Sequence, residues 1–251
     1  MIELATQNMH CMSWGHNMGV NIGSGISIGT GITIGGDAPV TSGLTMWLDA
    51  NNPASYSGSG STWYDLSGNG ANITLVGSPA YSAVSPAAFT FNGTSQYGTG
   101  STANVLPNNQ YTKSMWFQLS SYAFNNNIVS SFAGGHFTFA SGGNIFYSGH
   151  QDWANYNAFP TTATFNLATW YYVAVTFQSG SFMRMYVNGV LDSFSTYNLS
   201  PHPGDGSVDI ASYQNNNLLC GKMSEFYCYN RALTDAEVLQ NFNATRGKYG
   251  V

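Results

Sequence analysis

The stretch WYYVAVTFQSGSFMRMYVNGVLDSF, residues 170–194, constrains the fold of this chain more than any other. Apolar side chains occupy both sets of alternate positions in residues 170–177, which predicts a strand covered on both faces. A second predicted strand, residues 182–187, ends at Asn188-Gly189. This dipeptide is the strongest short-range hairpin signal, because both residues tolerate a positive φ. With residues 190–194 as the third strand, the stretch predicts an antiparallel meander at the centre of a β-sheet.

The composition excludes several classes of partner. Charged residues make up 7% of the 251 residues, well under the roughly 25% usual for soluble domains. The formal net charge is −5, and no Lys or Arg precedes Lys113. A chain without a basic patch has no electrostatic footprint for nucleic acid or an anionic membrane. We therefore expect no nucleic-acid partner and, since no apolar run is long enough to span a bilayer, no membrane insertion.

A Gly/Ile repeat, GVNIGSGISIGTGITIGG, occupies residues 19–36. Its aliphatic residues recur at even positions and as a six-residue repeat, while most odd positions are Gly. Two structures fit the pattern: one long strand with an Ile face, or a single coil of a hexapeptide β-helix. A flexible linker is the alternative. Neither ordered form can bury its aliphatic row alone, so we expect an assembly contact, preferably a homotrimer, formed by Val20, Ile22, Ile26, Ile28, Ile32 and Ile34.

Two regions follow from these patterns: an N-terminal anchor or oligomerisation segment, residues 1–43, and a globular domain, residues 44–251. Residues 37–43 have the composition of a hinge between them. Near the C-terminus, Thr234 followed by Glu237 predicts a capping box that starts a helix. Val238, Leu239 and Phe242 should form the apolar face of this helix, and Gly247 should end it.

Three landmarks of the globular region resemble one family. They are TWYDLSGNG followed by FTFNG, the central run WYYVAVTF followed by YVNG, and the C-terminal NRALTDAE. Together they are similar to the laminin-G-like, concanavalin A-like lectin/glucanase jelly roll. The resemblance implies an all-β fold: an antiparallel β-sandwich with a short C-terminal helix, preceded here by the Gly/Ile-rich, β-type segment.

Catalysis is not expected. Glycoside hydrolysis needs two carboxylates roughly 5–9 Å apart across the sugar. The chain has three glutamates, Glu3, Glu225 and Glu237, and none has an acidic partner at strand spacing. We therefore predict a protein that is not an enzyme.

One loop has the character of a calcium ligand set. Asp65, Ser67 and Asn69 place oxygen atoms at alternate positions before Gly70. The acid required at the twelfth position is replaced by Val76, and the acid that the family carries in its Phe-Asp-Gly turn is Asn92 here. An Asx-type turn, in which Asp65 and Asn69 bond local backbone groups, is the alternative. Calcium is the one cofactor that the sequence makes conceivable.

The densest cluster of aromatic and polar residues lies in residues 149–157, GHQDWANYN. A sugar site needs an aromatic plate and hydrogen-bonding groups on an exposed loop. The alternative is that the aromatic residues cover the core while Asn and Asp make turns. The glycan-binding candidates are His150, Gln151, Asp152, Trp153, Asn155 and Tyr156.

The combination resembles virion proteins of tailed bacteriophages that display such domains. Residues 1–17 lack the basic and apolar regions of a secretory signal. Virion proteins are made in the host cytoplasm and reach the outside by lysis. We therefore expect a structural protein on the virion surface, a fibre or a capsid decoration. Its N-terminal segment would bind other virion proteins, and its lectin-like domain would contact host or environmental glycans. An exported bacterial carbohydrate-binding adhesin is the alternative.

Overall fold

The computed structural model describes residues 26–28, 32–34, 38–101, 105–107, 109–122, 126–131, 135–141, 144–151, 156–196 and 207–251. The chain divides into two compact units, Met1–Gly36 and Asp37–Val251. In the described residues, no helix is both long and apolar enough to cross a membrane.

The larger unit is a β-sandwich with one α-helix, which confirms the predicted fold class. The smaller unit contributes β1 (Ile26–Ile28) and β2 (Ile32–Ile34). The strands of the larger unit are β3 (Leu44–Asp49), β4 (Thr62–Trp63), β5 (Ile73–Val76), β6 (Ala80–Ser82), β7 (Ala88–Asn92), β8 (Tyr97–Ser101), β9 (Gln110–Leu119), β10 (Asn126–Ser130), β11 (His136–Ala140), β12 (Ile145–Gln151), β13 (Tyr156–Thr164), β14 (Trp170–Gln178), β15 (Phe182–Val187), β16 (Val190–Ser195), β17 (Ser207–Ile210) and β18 (Cys220–Tyr229).

Two eight-stranded sheets face each other. Sheet I has the order β13-β12-β11-β10-β17-β8-β5-β4. Sheet II has the order β16-β15-β14-β9-β18-β7-β6, and β3 also pairs with β18. Every pairing within the sheets is antiparallel.

The predicted meander is confirmed as β14-β15-β16, with β14 in the interior of sheet II. One face of β14 supplies Val173, Val175 and Phe177 to the main core, which contains residues of both sheets. The other face supplies Tyr172 and Ala174 to a second core. Both faces are therefore covered, as the unbroken apolar run predicts.

The second core lies between sheet II and the C-terminal helix α1 (Asp235–Thr245). The predicted capping box is present, since Thr234 and Glu237 each bond the other's backbone N–H. Val238 and Phe242 are buried against the sheet, but Leu239 is 43% exposed, so its assignment to the apolar face was wrong. The helix ends at Thr245 and continues as a 3-10 turn, Arg246–Lys248, so Gly247 lies inside that turn and does not end the helix.

Residues 38–43, expected to form a hinge, pack onto the sandwich. Val40 is buried, its N–H donates to Asn241 Oδ1 (2.7 Å), and its carbonyl accepts from the Tyr229 hydroxyl (3.0 Å). The Ser42 carbonyl accepts from Arg231 Nε (3.0 Å). The larger unit accordingly begins at Asp37 and not at Leu44. The sequence pattern missed this because Val40 is a single apolar residue with no periodicity.

The Gly/Ile repeat forms neither predicted structure. β1 and β2 pair antiparallel, with Ile26 opposite Ile34 and Ile28 opposite Ile32. A single long strand and a hexapeptide coil are both inconsistent with this register, because the chain reverses direction between the two strands. Val20 and Ile22 lie outside the described residues.

Residues 37–43 should stabilise the sandwich measurably. A chain of residues 44–251 loses the buried Val40 side chain and two buried hydrogen bonds relative to residues 37–251. We expect the free energy of unfolding to fall by about 2–4 kcal/mol, and Tm by roughly 5–10 °C. Differential scanning calorimetry measures both, with Val40→Ala in the longer chain as a milder control. Equal stability of the two chains would contradict the packing of this segment.

Candidate functional site

A pair of carboxylates lies on the outer face of sheet II, where β3 and β18 run side by side. Asp49 and Glu225 are directly opposed in the antiparallel register. The two residues are far apart in sequence, so strand spacing could not reveal the pair. The expectation that Glu225 has no acidic partner at strand spacing concerns its own strand, whereas Asp49 is an acidic neighbour on a different strand.

One ammonium group joins the two acids. Lys248, in the 3-10 turn, places Nζ 2.8 Å from Glu225 Oε1 and 3.4 Å from Asp49 Oδ2. The Tyr249 hydroxyl donates to Glu225 Oε1 (2.8 Å), and the Tyr227 hydroxyl donates to Oε2 (2.7 Å). Both carboxylate oxygens of Glu225 are thus occupied by donors, and the residue is 0% exposed.

Burial dominates the electrostatics of this cluster. It raises the pKa of Glu225, and the charge of Asp49 adds to the effect, while Lys248 and the Tyr227 hydroxyl oppose it. Burial also acts to lower the pKa of Lys248, but Glu225 and Asp49 outweigh it, so that pKa is raised. Burial and the nearby Glu225 carboxylate hold the pKa of Tyr227 and Tyr249 well above the usual value. Both phenols therefore remain hydrogen-bond donors.

This arrangement does not suit acid–base catalysis. A general acid must come within hydrogen-bond distance of the group that it protonates. Glu225 has no exposed surface, and its oxygens already accept bonds from Lys248, Tyr249 and Tyr227. Its contacts instead tie the C-terminal 3-10 turn to sheet II.

A cavity of about 490 Å³ adjoins this cluster. Its wall combines aromatic rings, small hydroxyl or amide groups and one ammonium with small aliphatic residues and a glycine. The lining residues are Asn51, Pro53, Tyr56, Ser57, Gly58, Tyr81, Ala83, Ser85, Ala87 and Lys248.

The aromatic wall of the cavity is fixed in position. Tyr56 and Tyr81 meet edge to face with ring centroids 4.8 Å apart. The Tyr81 hydroxyl donates to the Ala50 carbonyl (3.0 Å), and the Tyr56 hydroxyl donates to the Gly60 carbonyl (3.0 Å). Because both hydroxyls bond backbone groups, the rings have defined orientations.

The polar wall is anchored to the carboxylate pair. Asn51 Nδ2 donates to Asp49 Oδ1 (3.0 Å), and Asn51 Oδ1 accepts from the Ala87 N–H (2.7 Å). The Lys248 side chain is 35% exposed, and Ser57 and Ser85 are exposed. Sequence inspection missed this cavity because its residues come from separate loops, from β6 and from the C-terminal turn.

The predicted calcium loop has the geometry of an Asx-type turn. Asp65 Oδ1 accepts from the N–H groups of Trp47 (2.8 Å) and Ser67 (2.9 Å). Asp65 Oδ2 accepts from Ser67 Oγ (2.7 Å) and the Ala71 N–H (3.1 Å). Asn69 Nδ2 donates to the Leu44 carbonyl (3.2 Å). In the part of the chain that the structure describes, no three His, Cys, Asp or Glu side chains are grouped so that they could hold a metal ion.

The predicted glycan loop is described only in part. His150 is buried, with Nε2 2.6 Å from the Tyr111 hydroxyl, so its side chain lies in the core and not on an exposed loop. Gln151 and Tyr156 are opposed in the β12–β13 register. The predicted contacts of Asp152, Trp153 and Asn155 lie outside the described residues.

Residues 92–239, more than half of the chain, match the family model of the concanavalin A-like lectin/glucanases superfamily, laminin-G type. The chain belongs to this superfamily. Comparison with curated proteins returned no match.

Solved structures of botulinum neurotoxin domains share the concanavalin A-like fold. The receptor-binding domain of the C/D mosaic serotype superposes with a TM-score of 0.66 at 15% identity, over 82% of this chain and 52% of that one. The binding domain of neurotoxin DC, in complex with SialylT, gives 0.64 at 15% identity, over 81% and 52%. The type G receptor-binding domain gives 0.62 at 15% identity, over 80% and 51%. The chain thus spans about half the length of these proteins, and the likeness concerns the fold.

The buried position of Glu225 predicts a pH signature. The folded state holds the Glu225 pKa above its unfolded value of about 4.5. The stabilisation from this group is therefore complete below pH 4.5 and is lost as pH rises through the folded-state pKa. Wild type should therefore lose free energy of unfolding as pH rises above 4.5, and Glu225→Gln should not lose this contribution. Urea unfolding of both proteins across this pH range measures the difference.

Glu237→Gln is the matched control with the opposite sign. The Arg231 hydrogen bond lowers the pKa of Glu237 to about 2. Its stabilisation is therefore present above pH 4.5 and is lost as pH falls toward 2. If the stability of both variants relative to wild type changed in the same direction with pH, the raised pKa of Glu225 would be refuted.

Proposed function

We propose that residues 37–251 form a non-catalytic glycan-binding module, with the cavity beside Tyr81 and Lys248 as its sugar site. The observation that carries the proposal is the cavity itself. Its volume of about 490 Å³ falls within the roughly 300–1,000 Å³ common for ligand sites. It combines two fixed aromatic rings with an ammonium and small polar groups, the components that sugar recognition requires.

Each wall has a role in sugar binding. An aromatic ring packs against the apolar C–H face of a pyranose, and Tyr81 supplies the half-buried ring. The Lys248 ammonium has three N–H donors, and Glu225 and Asp49 accept from it. The exposed part of Lys248, with Ser57 and Ser85, can bond sugar hydroxyls.

The carboxylate pair supports binding without turnover. Glycosidases place two accessible carboxyl groups on either side of the sugar. Here Glu225 is enclosed by Lys248, Tyr227 and Tyr249, and its role is to hold Lys248 at the edge of the cavity. A module that binds and releases a glycan unchanged is consistent with that arrangement.

The comparisons offer a precedent. Neurotoxin structures with this fold include one in complex with SialylT and one of type C, whose cell entry depends on interaction with two ganglioside molecules. Because this chain matches only about half of those proteins, their ligands do not define its ligand.

Filling the cavity should abolish glycan binding without disturbing the core. Ala83 lines the cavity and is exposed, so Ala83→Trp occupies the space without removing a buried side chain. Val84, its neighbour, is 78% exposed and does not line the cavity, so Val84→Trp is the matched control. A glycan array screen identifies the ligand, and titration calorimetry measures both variants. We expect at least a tenfold rise in Kd, about 1.4 kcal/mol, for Ala83→Trp alone.

Trp153→Ala distinguishes this cavity from the loop expected from the sequence. If the loop binds sugar, this variant should weaken binding by about 1 kcal/mol or more while Ala83→Trp has no effect. Glycan binding unaffected by Ala83→Trp would refute the cavity as the site.

For the whole chain, we propose a structural protein of a tailed-bacteriophage virion, a fibre or capsid decoration that presents the module outward. The low surface charge and the aliphatic repeat before the domain support this role. The repeat would join this chain to identical copies or to other virion proteins. An exported bacterial adhesin, oligomerised through the same repeat, is the second candidate.

The assembly role of the repeat can be tested at one cross-strand pair. Ile28 and Ile32 are directly opposed between β1 and β2. Ile28→Asp with Ile32→Asp places two like charges opposite each other in an aliphatic row. A charge in an aliphatic row that another chain covers is costly to bury, so we expect loss of oligomers in analytical ultracentrifugation while the sandwich stays folded. Ser27→Asp with Thr33→Asp sets two like charges opposite each other at the adjacent polar pair, so it is the control for cross-strand repulsion. Normal assembly of the Ile28/Ile32 variant would identify the repeat as a linker.

A further inference from the structure

A cluster of three basic side chains and one tyrosine lies inside the main core, away from the proposed sugar site. We name it the basic core cluster and define it as Tyr111, Lys113, His136 and His150. All four are 0–2% exposed. Tyr111 and Lys113 come from β9 of sheet II, whereas His136 and His150 are paired neighbours on β11 and β12 of sheet I.

The four side chains are in close proximity. The ring centroids of His136 and His150 are 5.0 Å apart, and those of Tyr111 and His136 are 4.7 Å apart. Lys113 Nζ is 5.3 Å from the centre of the Tyr111 ring. The cluster therefore joins the two sheets at one place in the core.

Two members of the cluster lack sufficient hydrogen-bond partners. A charged Lys has three donors, yet Lys113 Nζ makes one hydrogen bond, to the Phe137 carbonyl at 3.3 Å. That carbonyl also accepts from Ser148 Oγ (3.3 Å). Neither ring nitrogen of His136 has a protein partner. Unpaired polar groups in a protein interior are costly and call for an additional partner.

The surrounding groups do not supply a negative charge. Cys228, opposite Lys113 in the register, remains a thiol because burial raises its pKa to about 12. Asp209 is buried on sheet I, but Val208 and Ile210 face the core, so alternation directs Asp209 to the other face. Among the described residues, no carboxylate is paired with Lys113 or His136.

We propose that the basic core cluster binds a small monovalent anion of the halide type between Lys113 Nζ and the His136 ring. Such an ion accepts N–H bonds from both groups and supplies the counter-charge that Lys113 lacks. The packed aromatic rings around it favour a compact, weakly hydrated ion over an oxyanion such as sulfate.

Anion binding should be coupled to proton uptake. Burial lowers the pKa of Lys113 to about 7, and burial with His150 and Lys113 lowers that of His136 well below 6.5. Above pH 7, Lys113 must therefore gain a proton before it can hold the anion. The apparent Kd should rise toward about tenfold per pH unit above pH 7, as a single linked proton requires.

The test uses bromide with the intact chain. Bromide is exchanged for gluconate at constant ionic strength, and Tm is followed from pH 6 to pH 9. We expect a Tm that rises with bromide, most strongly at pH 6. Lys113→Met removes the charge with little change in volume, so it should abolish the bromide dependence, whereas Lys222→Met, on β18, should retain it.

Anomalous diffraction from crystals soaked in bromide provides a readout that does not depend on a variant. We expect a peak between Lys113 and His136. A bromide response equal in Lys113→Met and wild type, or a density there that carries no anomalous signal, would overturn the proposal and assign the site to water.

Discussion

Burial of both faces of sheet II is the constraint on which the rest of the structure depends. Strands β14, β9 and β18 each contribute large apolar side chains to both faces, so one face packs on sheet I and the other needs a separate cover. Helix α1, the 3-10 turn and residues 38–43 provide that cover. Trp116 shows the tightness of the packing, since its ring stacks on Tyr249 with centroids 3.8 Å apart. Tyr249 is thus part of the second core.

This constraint encloses polar groups on both sides of the sheet. On the outer face, Glu225 is satisfied by Lys248, Tyr227 and Tyr249, all brought there by the sheet and its cover. On the inner face, Lys113 has one carbonyl acceptor. The first group is a complete network that positions a cavity wall, and the second is an incomplete one. The complete network therefore supports the proposed sugar site, whereas the incomplete one leaves donors for the proposed anion.

In the proposed sugar site, the position of Lys248 and the enclosure of Glu225 have one cause. Lys248 reaches the cavity because two carboxylates hold it there, and the same contacts enclose Glu225. In the proposed site, a carboxylate used in this way supports the group that would bind the sugar. In a surface with few charges, one positioned ammonium beside Tyr81 is a distinctive feature.

The sequence by itself determined the β14-β15-β16 meander and the capped helix, because these follow from local periodicity, the Asn188-Gly189 turn and a four-residue capping box. The sandwich followed from the resemblance of three landmarks to the laminin-G-like family. The alternate spacing of Asp65, Ser67 and Asn69 likewise allowed the Asx-type turn as an alternative. Only the tertiary structure decided which polar residues meet. Asp49, Glu225 and Lys248 converge through antiparallel pairing and the packing of the last turn. Lys113 and His136 come from different sheets, and each lies beside the Tyr111 ring. Such contacts depend on strand order and on which face a residue occupies, and no local pattern encodes either.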